Sequence, residues 1–207
     1  MFRGPDRGKL RAAAAAAAVV TIGYFDSGLA KAAPSCASQI SAMDSLAVIA
    51  PVAMPAGPLI LGGSEVSLQL TAQGDRALAQ RLKTIVRSGT GTVVLQLKCV
   101  QADRPPGAMW EVYAGLPANV QPNAASPYFV GNVAMFGDGI KSEPGRPFAE
   151  FIFPLNRAIA ASGDVSALAV TFIPSSGVVV AGRPTVPAVK VLVRIGQINL
   201  LLDRTQQ

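Results

Sequence analysis

The chain has 207 residues, half of them hydrophobic and 14% charged, which supplies a packed core for one domain and argues against a self-repelling disordered polymer. Eighteen basic residues against 12 acidic ones give a net charge of +6, and half of that excess lies in the first 32 residues, where Arg3, Arg7, Lys9, Arg11 and Lys31 face Asp6 and Asp26. The remaining basic residues are spread singly, without the stripe that nucleic-acid binding requires. Histidine is absent, which excludes a Ser-His-Asp or Cys-His nucleophile and any histidine-bound zinc, copper or haem within this chain.

Residues 1–11 form a basic stretch, and Ala12 to Ile22 form an unbroken small and apolar one. This is the pattern of a signal peptide, with Ala30 and Ala32 as the small residues before a cleavage point after Ala32. The alternative is an alanine-rich linker. Extended to Phe25, the apolar segment gives about 21 Å of helix against a bilayer core of roughly 30 Å, so a stable membrane span after signal cleavage is not expected. Residues 1–32 are therefore read as a signal peptide of a secreted or periplasmic protein. In such an oxidising compartment the two cysteines, Cys36 and Cys99, permit one disulfide that ties the N-terminus to a strand. Two separate thiols, with Cys99 buried on a strand face, are the alternative.

Residues 33–62 carry Pro34, Pro51, Pro55 and Pro58 among small residues and end near Gly62 and Gly63, which reads as an extended Pro/Ala-rich segment with few fixed elements. A domain of residues 63–203 follows. Glu65 to Leu70 alternates apolar and polar positions with the period of a half-buried strand. Leu78, Leu82, Ile85 and Val86 then make one helical stripe, which Asp75 can cap and which ends before Gly89. Thr92 to Gln101 alternates again, with Val93, Leu95, Leu97 and Cys99 assigned to one face. Further strands are predicted at 109–116, 128–136, 148–155, 167–174 and 189–202, the last long enough to bend at Gly196 and serve two sheets. Turn-forming clusters separate these runs. The expected fold is all-β: an antiparallel, jelly-roll-like β-sandwich of about seven to eight strands with one or two short helices.

Chemistry-bearing clusters are sparse. Gly137, Asp138 and Gly139 read as a turn: the third glycine of a dinucleotide fingerprint and the Gly-Lys-Ser/Thr of a P-loop are both missing. Asp138, Glu143 and Glu150 match no calcium-loop spacing, and Lys141 and Arg146 intervene. Lys141 and Ser142, together with Asp103 and Glu111, offer groups for histidine-free catalysis, but no spacing fixes their geometry. No catalytic residue, cofactor site or metal site is assigned.

Four runs carry a resemblance: Val112 to Pro117, Tyr128 to Gly137, Ala169 to Pro174 and Val193 to Ile198. In sequence and order they resemble the C-terminal β-domain of the bacterial tyrosinase and plant polyphenol oxidase family. The Gly62 to Leu68 run and the helix after it resemble that domain's beginning, so the similarity covers residues 60–202. The most specific piece is Val-Gly-Asn-Val-Ala-Met-Phe-Gly at 130–137. Gly115 stands where an Asn commonly precedes the Leu-Pro of such domains. The resemblance implies a β-sandwich that covers a separate helical copper domain, and none of that helical domain is recognised in this chain.

Two functions follow. The first is a secreted, non-catalytic accessory or shielding domain that docks on a separate tyrosinase-like oxidase catalytic subunit through the 117–128 and 136–148 loops, with Phe136, Pro144, Pro147 and Phe148 as contacts. The second is a free-standing binding module for a glycan, phenolic or envelope component, with Trp110, Tyr113 and Tyr128 as its aromatic platforms. Alternation places Trp110 and Tyr113 on opposite strand faces.

Overall fold

The computed structural model describes residues 46–52, 54, 57–71, 77–135, 140, 148–163, 168–176, 179–180, 183–184, 189 and 191–204. The chain divides into two units, Met1–Ala33 and Pro34–Gln207, and the described residues all belong to the second. The leader, Asp75 and the 137–139 turn lie outside them.

The elements run β1 (Ala47–Pro51), β2 (Leu59–Leu61), β3 (Val66–Leu70), α1 (Leu78–Ser88), β4 (Thr92–Ala102), β5 (Met109–Ala114), β6 (Phe129–Ala134), β7 (Ala149–Pro154), α2 (Asn156–Ala161), β8 (Leu168–Ser175), β9 (Val179–Val180), β10 (Arg183–Pro184) and β11 (Val193–Asp203). One sheet has the order β1-β11-β4-β7, with β2 beside β1 on the same edge of β11; the other has the order β3-β8-β5-β6. Every strand pairing within the two sheets is antiparallel. Taking β1 and β2 as one interrupted strand and setting aside the β9–β10 hairpin leaves eight strands. These pair as first-eighth-third-sixth and second-seventh-fourth-fifth, the double Greek key of a jelly roll.

The two sheets meet through a core supplied by alternate residues. Trp110, Val112, Val133, Val170 and Phe172 of one sheet join Leu95, Leu97, Val100, Ile195, Ile198 and Leu200 of the other, all at 2% exposure or less. The prolines of the 33–62 region do not prevent pairing, because β1 and β2 are short edge strands; Pro51 ends β1, and the Val52 N–H after it still donates to the Ile198 carbonyl of β11 at 3.0 Å. That region therefore contributes two strands where few fixed elements were expected.

Helix α1 follows its apolar stripe: Leu78 and Leu82 are buried and Ile85 and Val86 pack on the core. It ends at Gly89, whose φ of 63° is the left-handed conformation of a helix C-cap. Its first residues carry no side-chain cap. Helix α2 is fixed by Asn156, whose Oδ1 accepts the Val93 N–H at 2.8 Å and whose Nδ2 donates to the Gly91 carbonyl at 3.1 Å.

The long strand β11 stays within one sheet, contrary to the expectation that it serves two. It pairs with β4 from Val193 opposite Ala102 to Asp203 opposite Thr92. The side-chain alternation does change phase along it. Core residues are Leu200 and Ile198, then Ile195 and Val193; on β4 they are Leu95 and Leu97, then Val100 and Ala102. Both strands shift phase at Cys99 and Gly196, so Cys99 leaves the face of Leu97 instead of continuing it. Cys99 has φ of 61°, the one positive φ at a non-glycine residue among the described residues. A β-carbon on Gly196 would lie 2.8 Å from the Cys99 Cβ, so the side chain at 99 needs a bare backbone opposite.

Gly131, in the most specific run, has a similar task between the sheets. A β-carbon there would lie 2.7 and 2.8 Å from two ring carbons of Phe153, and its φ is 149°. The aromatic ring of β7 thus sits on the bare backbone of β6. Gly131→Ala is expected to destabilise the fold by about 2 kcal/mol through this overlap. Gly107→Ala, at φ of 66° with nothing within 4 Å, pays backbone strain alone, about 1 kcal/mol. Urea denaturation of the two variants checks the ordering, and equal losses would contradict the steric account.

Candidate functional site

The residues singled out from the sequence separate into three groups. Phe136, Pro144 and Pro147 lie outside the described residues, as does Cys36. Phe148 is described and half-buried, immediately before β7. Cys99 is partly buried on β4.

The three aromatic platforms are engaged within the fold. Trp110 is fully buried in the core, and its Nε1–H donates to the Gly62 carbonyl at 2.9 Å. This bond joins the β2–β3 connection to the beginning of β5. Tyr113 points to the opposite face of β5, as alternation requires, yet is also fully buried. Its ring meets Phe129 edge-on at 5.6 Å, and its hydroxyl donates to Glu111 Oε2 at 2.6 Å. Tyr128 donates its hydroxyl to the Ala161 carbonyl at 3.2 Å and so closes the last turn of α2. Trp110 and Tyr113 offer no open ring face for stacking a sugar or a phenol, and Tyr128 is half-buried.

Of the carboxylates, Glu111 accepts from Tyr113, and Glu150 accepts from Gln96 Nε2 at 2.6 Å. Gln96 Oε1 in turn accepts from Asn199 Nδ2 at 2.8 Å, and Asn199 Oδ1 accepts from Gln197 Nε2 at 3.2 Å. A polar row therefore crosses β7, β4 and β11 on the face away from the core, with Gln96 and Asn199 buried in it. Such a row satisfies buried amides and leaves no carboxylate pair poised across a reacting centre. Among the described residues no group of three or more Cys, Asp or Glu could hold a metal ion.

Gly115, the departure from the family pattern, has φ of 65°, and a β-carbon there would collide with Ser162 Oγ and approach Leu168 to 2.9 Å. Asn is the non-glycine residue that best tolerates this backbone conformation, but here Ser162 of the α2 end occupies its place. Ser162 Oγ donates to the Ala158 carbonyl at 2.6 Å, so the helix end fills the position.

The loop 117–128, expected to contact a partner, is well ordered by its own bonds. Val120 N–H donates to the Pro117 carbonyl, Asn123 Oδ1 accepts the Ala125 N–H at 2.8 Å, and Ser126 N–H donates to the Asn123 carbonyl. Residues 118–125 are exposed, Val120 among them. Two hollows went unread in the sequence. One, of about 220 Å³ between α1 and α2, is lined by Lys83, Val86, Arg87, Ile159, Ala160 and Gly163. Lys83 is buried although it is charged and sits beside the apolar stripe. The other hollow lies where β4 ends and β11 begins.

The fold is similar to parts of solved polyphenol oxidases. A recombinantly expressed latent aurone synthase (polyphenol oxidase) matches 77% of this chain and 29% of its own at 15% identity, with a TM-score of 0.44. The same latent enzyme from its natural source matches 81% and 30%, at 15% identity and a TM-score of 0.43. A latent apple tyrosinase matches 69% and 26%, at 16% identity and a TM-score of 0.38. The chain thus spans less than a third of the length of these structures. No family model matches the sequence, and no curated protein does.

Burial, and then the hydrogen bond and charge of Glu111, raise the ionisation of Tyr113 above the ordinary tyrosine value. The folded state keeps a phenol proton that the unfolded chain loses above about pH 10, so Tyr113 makes stability fall with rising pH there, by up to about 1.4 kcal/mol per pH unit. Tyr113→Phe is expected to lose about 1 kcal/mol at neutral pH and to flatten the profile above pH 10. Urea melts at stepped alkaline pH check this, and parallel profiles for the two proteins would refute it.

Proposed function

We propose that the mature chain is a secreted, non-catalytic β-domain that docks on, and shields, a separately encoded tyrosinase-like copper oxidase. The observation that carries this reading is where the family-like runs fall. Three of the four runs, Val112 to Pro117, Tyr128 to Gly137 and Ala169 to Pro174, fall on the strands β5, β6 and β8, which are neighbours in one sheet, and the fourth, Val193 to Ile198, falls on β11 of the other. A chain that spaces those three runs to build one surface, and that contains no imidazole, supplies shape where a histidine-bound copper pair would supply chemistry. The 117–128 loop beside that sheet, exposed over 118–125, is the docking rim, with Val120 as its apolar contact; Phe136, Pro144, Pro147 and Phe148 are the further contacts proposed from the sequence.

Secretion follows from the leader pattern of residues 1–32, and no described helix is long and apolar enough to cross a membrane. In the oxidising compartment Cys36 pairs with Cys99, closing a long loop whose restriction in the unfolded chain is worth about 4 kcal/mol.

The test uses protein recovered from a secreting host and the histidine-rich copper oxidase encoded nearest to it. The expected product starts near Ala33, has no titratable thiol before reduction, oxidises no phenol alone, binds the oxidase in a 1:1 complex by size-exclusion chromatography, and slows its phenol oxidation. Phenol oxidation by the isolated chain would overturn the non-catalytic assignment. Failure to bind, or an unchanged oxidase rate in the presence of excess chain, would overturn the docking assignment.

A further inference from the structure

The hollow at the junction of β4 and β11 has a volume of about 400 Å³ and is lined by Asp103, Arg104, Val191, Leu192 and Arg194. The ladder builds it. Arg194 lies between Val193 and Ile195, both fully buried, so its side chain takes the face of the sheet away from the core. Its register partners are Gln101 on β4 and Ile60 on β2. Ile60 lies between buried Leu59 and Leu61 and stands on that same face, 37% exposed. Leu192, one residue before the strand, is 52% exposed. On the other side β4 ends at Ala102, and Arg104 follows in an exposed turn.

Two guanidinium groups thus flank a shallow hollow that has aliphatic side chains at its edge. Asp103 meets Arg194 at 4.0 Å, with both side chains about half or more exposed. An ion pair that long and that wet is weak and exchangeable, and among the described lining residues one carboxylate against two arginines leaves the hollow positive. Guanidinium forks favour carboxylates in paired hydrogen bonds, and Leu192 and Ile60 favour an apolar group next to that carboxylate.

We propose that this hollow takes an acidic segment of a partner protein, its carboxylate held by Arg104 and Arg194 and its apolar neighbour resting on Leu192 and Ile60. The proposal builds on the docking reading above and gives it a second contact, on the opposite sheet from β5, β6 and β8.

The test titrates the full chain into a fluorescein-labelled Leu-Glu-Phe-Asp-Leu peptide, blocked at both ends, and follows anisotropy. The acidic peptide is expected to bind, more weakly as salt rises, while its Leu-Gln-Phe-Asn-Leu counterpart does not. R104A/R194A is expected to weaken binding by at least about tenfold, and D103N to strengthen it. Both arginines are exposed, so an unchanged melting temperature identifies the loss as one of recognition. The proposal is overturned if the amide peptide binds equally, if the double variant binds the acidic peptide unchanged, or if inorganic phosphate displaces the peptide at micromolar concentration, which marks a small-anion site. The peptide measurement needs no oxidase, so its failure leaves the docking reading standing. An oxidase that captures R104A/R194A as well as the unaltered chain removes this surface alone.

Discussion

The pairing of β4 with β11 is the constraint on which the remaining structure depends. Both strands are eleven residues long and lie side by side from Thr92 opposite Asp203 to Ala102 opposite Val193. Each also pairs with an outer strand, so one sheet of the sandwich is organised about this ladder. A ladder of this length accumulates twist, and the phase change at Cys99 and Gly196 lets both of its ends keep apolar residues toward the core. The change needs a left-handed residue at 99 and a residue with no β-carbon at 196. The two positions form one device: the bare backbone of Gly196 gives the Cys99 side chain its room.

The same ladder sets what the outer face carries. On one side of the phase change, Asn199 opposite Gln96 continues into Glu150 and forms the polar row; on the other, Arg194 opposite Gln101 stands beside Ile60. A one-residue slip would drive Gln96 and Arg194 toward the core, where an amide without partners and a guanidinium are both costly. Fold and surface are thereby specified together. The other sheet holds the glycines that let backbone and ring approach: Gly131 beneath Phe153, and Gly115 against the end of α2.

Much of this architecture was legible in the residues. The alternation of Val66, Leu68 and Leu70, the helical stripe from Leu78 to Val86 and the stop at Gly89 each name their element correctly, because there one face is buried and the other is wet. Legibility fails where tertiary pairing outweighs local pattern. Ala47–Pro51 and Leu59–Leu61 lack alternation and contain or adjoin proline, and they are strands only because β11 offers an edge. Cys99 follows Leu95 and Leu97 in strict alternation, and no local signal distinguishes a continuing strand from one that changes phase. Tyr113 reads as a solvent-facing ring on the far side from Trp110, yet neighbouring Phe129 and the Glu111 bond accompany its burial. The site was legible only as a list of residue types. Arg104 and Arg194 are ninety positions apart, and nothing but the register brings them to one hollow.

Native-state hydrogen exchange tests the dominance of the β4–β11 ladder most directly. The amides of Leu95, Leu97, Ile198 and Leu200 are expected to exchange only through global unfolding, at the same free energy as denaturant melts report, while those of β1, β2 and β3 open at lower cost. Faster exchange in the ladder than in these edge strands, or a uniform free energy across both sheets, would contradict it.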